Sequence, residues 1–408
     1  MKRTLVVTCV GAAILLIGWS PREFARPGLP PSADSLASPA GPGSAEPNLS
    51  VGPDGRVYLS WHEPLDSGFV LRLSSFDGRA WSAPRTVRAG RDFFVNWADF
   101  PSIEALGGGR LAAHWLQRTG SGTYAYGVRI AYSKDDGRTW STPVTPHRDS
   151  SNTEHGFVSM WRENNGVGAA WLDGRKFKPT RSPTNEMMVV STALDAAGAP
   201  GSEVTLDTRA CDCCQTSAAM TAGGPIIAYR DRSPDEIRDV YVVRRVEGKW
   251  TEPKAVHDDN WKIAACPVNG PAVAASGDRV ALAWFTAAND SPRVKLAFSG
   301  DRGATFGAPV RIDEGSPAGR VDVAMLRNGD ALVSWIERTG GDTAAVRVRR
   351  VSRGGRASEP RTVAASSAAR ASGFPRMVIV DDRVMFAWTA PTRPSTVRVA
   401  RMALNDIR

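Results

Sequence analysis

Four of the five cysteines in this 408-residue chain fall on two short segments, Cys211-Asp212-Cys213-Cys214 and Cys266. The fifth, Cys9, lies inside an apolar N-terminal run. Clustered thiols have three chemistries open to them. They form disulfides in an oxidising compartment, and four cysteines allow three connectivities. Of these, Cys211–Cys214 with Cys213–Cys266 asks least of the backbone. They bind Cu(I) or Zn(II), for which Cys211 and Cys214 have the Cys-x-x-Cys spacing. Or they cycle as a redox-active pair. Spacing alone leaves all three open.

A second set of residues suits acid–base and anion chemistry. Asp99, Asp173, Arg175, Arg230 and Asp231 form a candidate catalytic group, with His155, Arg232, Arg320 and Arg376 as candidate substrate-binding residues. A guanidinium grips a carboxylate with two parallel hydrogen bonds, and a carboxyl of raised pKa serves as a general acid. The plainer reading is that such residues pair with one another and tie structural units together.

These residues gain meaning from the elements that carry them. Seven times a Gly-rich or Asp-rich turn leads into a short apolar run ending on a large aromatic: Trp61, Trp115, Trp171, Tyr229, Trp284, Trp335 and Trp388. Their spacings of 54, 56, 58, 55, 51 and 53 residues mark a repeat. Within each unit, runs of five to seven residues rich in Val, Ala, Ile and aromatics read as four short antiparallel strands. After residue 47 no stretch keeps a helical apolar period over a dozen residues. The expectation is an all-β fold, a β-propeller of four-stranded blades, with seven blades favoured and six the alternative. Innermost strands should start near residues 47, 100, 157, 216, 271, 321 and 374, and residues before 47 could supply the last blade's fourth strand.

Strand parity then sorts the loops. Turns between first and second strands, and between third and fourth, share one face. The longer, more polar loops between second and third strands, and from blade to blade, share the other. Both cysteine segments and the acid–arginine set belong to the second face, so the four cysteines should be neighbours there. Function concentrates on loops carried by a rigid scaffold.

Ser133-Lys134-Asp135-Asp136-Gly137-Arg138-Thr139-Trp140 matches Ser-x-Asp-x-Gly-x-Thr-Trp, and Ser299-Gly300-Asp301-Arg302-Gly303-Ala304-Thr305-Phe306 is a second copy. Ser75–Trp81 is a shortened third and Glu247–Trp250 a worn fourth. With these motifs the chain resembles the sialidase-like, Asp-box (BNR) propeller superfamily over about residues 47–404. The resemblance implies a propeller fold, a site on the loop face, and a carbohydrate or small anionic ligand. A sialidase-type exo-glycosidase would be the activity if the site is catalytic; the alternatives are a cell-envelope metal or thiol-redox protein using the four cysteines, and a non-catalytic partner-binding scaffold. The glycosidase chemistry needs no cofactor; copper or zinc enters only with the cysteine reading. The family's Arg-Ile-Pro motif is absent, and no tyrosine follows Tyr241 to act as the family's nucleophile.

Composition sets the remaining bounds. The formal charge of +9, mostly from arginine, is spread without basic runs, which gives no support to nucleic-acid binding. Lys2 and Arg3 precede an apolar run from Leu5 to Ile17, read as a signal peptide or N-terminal anchor over residues 1–20. Residues 21–46, rich in Pro, Ser, Gly and Ala, read as a linker, and 47–408 as the propeller. An exported monomer is expected, periplasmic or extracellular, meeting a membrane only through its N-terminal segment.

Overall fold

The computed structural model describes residues 33–164, 166–177 and 186–408. The N-terminal signal or anchor lies outside the described residues. Among those described, no helix is long and apolar enough to cross a membrane.

Seven antiparallel sheets follow one another along the chain and close into a ring. Their innermost strands begin at Ala45, Ser102, His155, Ser217, Ala272, Pro317 and Arg376. Each is flanked by the innermost strands of the two neighbouring blades. The fold class is therefore as the sequence implies: an all-β seven-bladed propeller.

Two details concern the outer edges of the blades. Asp34–Leu36 pairs antiparallel with Thr396–Ala403 and supplies the outer strand of blade 7. The last blade's fourth strand thus comes from residues before 47, as the sequence allowed. A three-residue edge strand needs only backbone pairing, which Pro- and Ser-rich composition conceals. Blade 2 has three full strands, and its fourth edge shrinks to one bridge between Ile130 and Val144.

All seven marker aromatics lie in second strands and are buried. Their polar atoms explain several acids. The indole N–H groups of Trp61, Trp171 and Trp335 donate to the carboxylates two residues on, Glu63, Asp173 and Glu337, at 2.7, 2.9 and 2.6 Å. Trp284 reaches Asp259 at 2.6 Å, and the Tyr229 hydroxyl bonds Asp207. A buried indole needs an acceptor, and blades 1, 3 and 6 supply it in the same way, whereas the Trp115 indole N–H of blade 2 is buried without one.

The two matching octapeptides fold into the same turn. Asp135 accepts from Ser133 Oγ at 2.8 Å and from the Thr139 N–H at 2.9 Å; Asp301 accepts from Ser299 Oγ at 2.7 Å and from the Thr305 N–H at 2.9 Å. Gly137 sits at φ +80°, where a Cβ would also meet Leu73 Cδ2 at 2.6 Å. Only glycine suits that position without strain.

Candidate functional site

The blade-to-blade loops meet over the channel on the expected face. Trp97 and Phe100, between blades 1 and 2, pack on Phe374, between blades 6 and 7, with ring centroids 5.8 and 6.0 Å apart. Gln215, between blades 3 and 4, donates to Ala98 O at 2.5 Å and accepts from the Gly270 N–H at 3.0 Å. These contacts cross the axis and roof the channel with apolar side chains. Beneath them lies a cavity of about 190 Å³, to which all seven blades contribute residues, Ser50, Glu104, Ser159 and Arg376 among them.

The arginines that could grip an anion are engaged. Arg230 is 1 % exposed. It donates to the carbonyls of Asn269, Arg238 and Phe285 at 2.5–3.1 Å and lies over the Trp261 ring at 4.9 Å. Arg320 donates to the carbonyls of Ala368, Ala369 and Gly373 at 3.0–3.2 Å and covers Trp97. Burial, with Arg338 nearby, lowers its pKa to about 10. Arg232 forks onto Glu236 at 2.7 and 3.0 Å. Arg376 stacks over Phe100 at 5.0 Å and faces Asp322 at 3.5 Å.

The acids divide in two groups. Asp173 is fully buried and accepts from Trp171 and from Arg175 at 2.6 and 2.7 Å. Burial works against its ionisation, but Arg175 and His155 outweigh it and hold the carboxyl below its usual range. Arg175 also bonds Glu203 at 2.9 Å. His155 stacks on His147 at 4.1 Å and lies 3.1 Å from Asp149. This group is a closed ion-pair network in blade 3. Asp99 and Asp231 behave oppositely. Burial pushes Asp99 to about 7, only partly offset by the Phe157 N–H it accepts at 2.7 Å. Burial and the neighbouring Asp207 carboxylate push Asp231 to about 7. Asp173 and Arg175 thus lie together, whereas Asp99 is held under the roof by Phe157, and the nine candidates do not converge on one open pocket.

A consequence for stability follows from Asp99. Its folded pKa exceeds the unfolded value of about 3.9, so the folded chain holds the proton more tightly between those limits. Stability should therefore fall as pH rises from about 4 to about 7. Asp99→Asn keeps an oxygen acceptor for Phe157 and should recover about 2 kcal/mol of the loss between pH 5 and pH 8 in urea titrations. The decline is flattened rather than abolished, because Glu104 and Asp231 are also pushed to about 7. Identical slopes in the two proteins would refute it.

The cysteines come together as loop parity requires. Cys211 Sγ lies 3.1 Å from Cys214 Sγ and 3.7 Å from Cys213 Sγ. The three sulfurs fall within 4.8 Å of one another, as do Asp212, Cys213 and Cys266. Cys211 and Cys214 are buried, Cys213 is half-buried and Cys266 is exposed. Arg238, 4 % exposed, donates to Cys211 Sγ at 3.3 Å and lies 3.5 Å from Asp212. Burial opposes ionisation of Cys211, but its two sulfur neighbours and Arg238 prevail and bring the thiol well below its usual value.

Arg238 is the residue the sequence reading missed. It follows Arg230 by eight positions across the same hairpin and donates to Glu236 at 2.9 Å. Arg230 is recast by its partners. It clamps the carbonyl of Arg238 and that of Asn269, so it fixes both the Cys211 partner and the loop carrying Cys266. Asn269 is held further by the Arg320 N–H at 2.7 Å. Val268, β-branched, sits at φ +47° in that loop, a strained conformation sustained by the surrounding bonds.

No protein-family model and no curated protein matches the sequence. Solved structures do match. Polysaccharide lyase Uly1 is 11 % identical, with a TM-score of 0.53 over 88 % of this chain and 90 % of that one. A protein of unknown function from Dyadobacter fermentans is 14 % identical, with a TM-score of 0.50 over 92 % and 96 %. The NanB sialidase of Streptococcus pneumoniae is 13 % identical, with a TM-score of 0.45 over 92 % and 71 %. At such identities the likeness is one of architecture alone: the chain is a seven-bladed β-propeller.

Proposed function

We propose that this propeller is a soft-metal-binding protein that holds Cu(I) on the thiolates of Cys211, Cys213 and Cys214. One observation carries the reading: three sulfurs within 4.8 Å of one another, two of them buried, on one short loop whose Cys211 sulfur accepts from the buried Arg238. Three sulfurs ringed about 2.3 Å from a metal sit about 4 Å apart, so small adjustments complete the site. Three-coordinate thiolate favours Cu(I), while zinc asks for a fourth ligand. Export, supported by the N-terminal apolar run, belongs to the same proposal. A second reading is a carbohydrate or small anionic ligand on this face. It rests on the fold shared with Uly1 and on the half-buried Asp231, but the engaged forks of Arg230, Arg232 and Arg320 weigh against it.

The test uses the reduced full-length chain, titrated with Cu(I) and separately with Zn(II), with reactive thiols counted before and after. We expect one equivalent of Cu(I) to protect at least three thiols, reversibly on adding a Cu(I) chelator. Zinc protecting all four would make the site a zinc centre. Protein recovered from an oxidising compartment with no free thiol among Cys211, Cys213, Cys214 and Cys266 and no metal would instead establish two disulfides. Thiols that stay reactive with either metal present would leave the redox pair.

A further inference from the structure

The cysteine cluster holds two overlapping sets of donors. The inner set, Cys211, Cys213 and Cys214, is all sulfur and mostly buried; the outer set is Asp212, Cys213 and Cys266, with Cys266 exposed. Cys213 belongs to both and is intermediate in exposure. Cys266 Sγ lies 3.6 Å from Asp212 Oδ1, and Arg238 touches a member of each set, Cys211 and Asp212.

We propose that Asp212, Cys213 and Cys266 form a surface seat through which Cu(I) enters and leaves the inner set. The proposal rests on the metal-binding reading above. Its physical basis is access. Cys211 and Cys214 are 0 % and 1 % exposed, so an ion cannot reach them directly from water. Cys213 alone connects them to a donor set that solvent touches. Cu(I) exchanges between thiolates by gaining one sulfur as it releases another. The metal stays Cu(I), no electron moves, and each thiol that binds gives its proton to water. Asp212 contributes a hard oxygen, a poor ligand for Cu(I), so the outer seat is the weaker of the two. A weak outer seat beside a strong inner one favours capture inward and still offers a route out to an acceptor bearing soft ligands.

The experiment uses full-length protein loaded with one equivalent of Cu(I) and bathocuproine disulfonate as both competitor and acceptor. Equilibrium competition gives affinity, and stopped-flow mixing gives the transfer rate. In Cys266→Ser the affinity should stay within about threefold of the native value, while transfer slows by about tenfold or more. Asp212→Asn should slow transfer less than Cys266→Ser, since an amide oxygen replaces a donor that Cu(I) already holds weakly. Cys266 is exposed, so its replacement spares the core. Native affinity with a native rate in Cys266→Ser overturns the surface seat while sparing the metal site. A loss of affinity of about a hundredfold overturns it differently, making Cys266 a permanent fourth ligand. A native chain that takes up no Cu(I) fails the underlying reading, and this proposal with it.

Discussion

Arg230→Met is expected to cost about 3–5 kcal/mol of folding stability and to disperse the four thiols. Methionine keeps the apolar stem over Trp261 but removes every donor. The carbonyls of Asn269, Arg238 and Phe285 then lose their partners in a site closed to water, and a buried acceptor left bare costs far more than an average hydrogen bond contributes. Arg230→Lys should recover only part of the loss. An ammonium keeps the charge but cannot reproduce the fork that takes two carbonyls on one side and a third opposite. Urea unfolding gives the first quantity, and the reaction rate of native-state thiols gives the second, because Cys266 and Arg238 both depend on this clamp. A variant with native stability and native thiol reactivity, but weakened binding of an anionic sugar, would return Arg230 to a ligand-gripping role.

The contrast between what Arg230 suggests and what it does shows where the sequence was readable. The seven aromatics announced the blades because each answers the same packing need: a large apolar side chain fills the same space in every second strand. Loop parity placed Cys211 and Cys266 together for the same reason, since it depends only on counting strands. Side-chain roles at the blade ends were harder to read. Asp173 pairs with neighbours two residues away, Trp171 and Arg175, so a local pattern could have marked it as structural. Arg230 pairs with carbonyls 39 and 55 residues distant. Backbone acceptors carry no side-chain signature, so a charged residue bound only to carbonyls looks in sequence like one awaiting a ligand. Arg320 misleads in the same way. The closing strand Asp34–Leu36 could be expected from before residue 47 only by counting strands, because backbone pairing imposes little on composition.

Cys211→Ser is expected to weaken Cu(I) binding by about a hundredfold or more, and Cys213→Ser by at least as much. A serine oxygen has nearly the size of the sulfur but is a hard donor, so packing is kept while the soft bond is lost. Cys213 counts twice, since it belongs to both donor sets. Cys211 carries weight for another reason. Arg238, buried beside it, has its charge met by the Cys211 sulfur at 3.3 Å and by Glu236 at 2.9 Å. Removing the thiolate leaves Arg238 less well compensated, so the variant should also lose some stability, and Arg238→Gln in the same background should restore part of it. The disulfide alternative gives the opposite fingerprint. With sulfurs of Cys211 and Cys214 only 3.1 Å apart, modest movement would bring them to the bonded distance of about 2.05 Å. In that case Cys211→Ser would release one free thiol at Cys214, found by alkylation and peptide mass, and Cu(I) uptake by the oxidised protein would be nil before and after the change. Loss of binding without a newly freed thiol supports the metal, whereas a freed thiol without prior binding removes it.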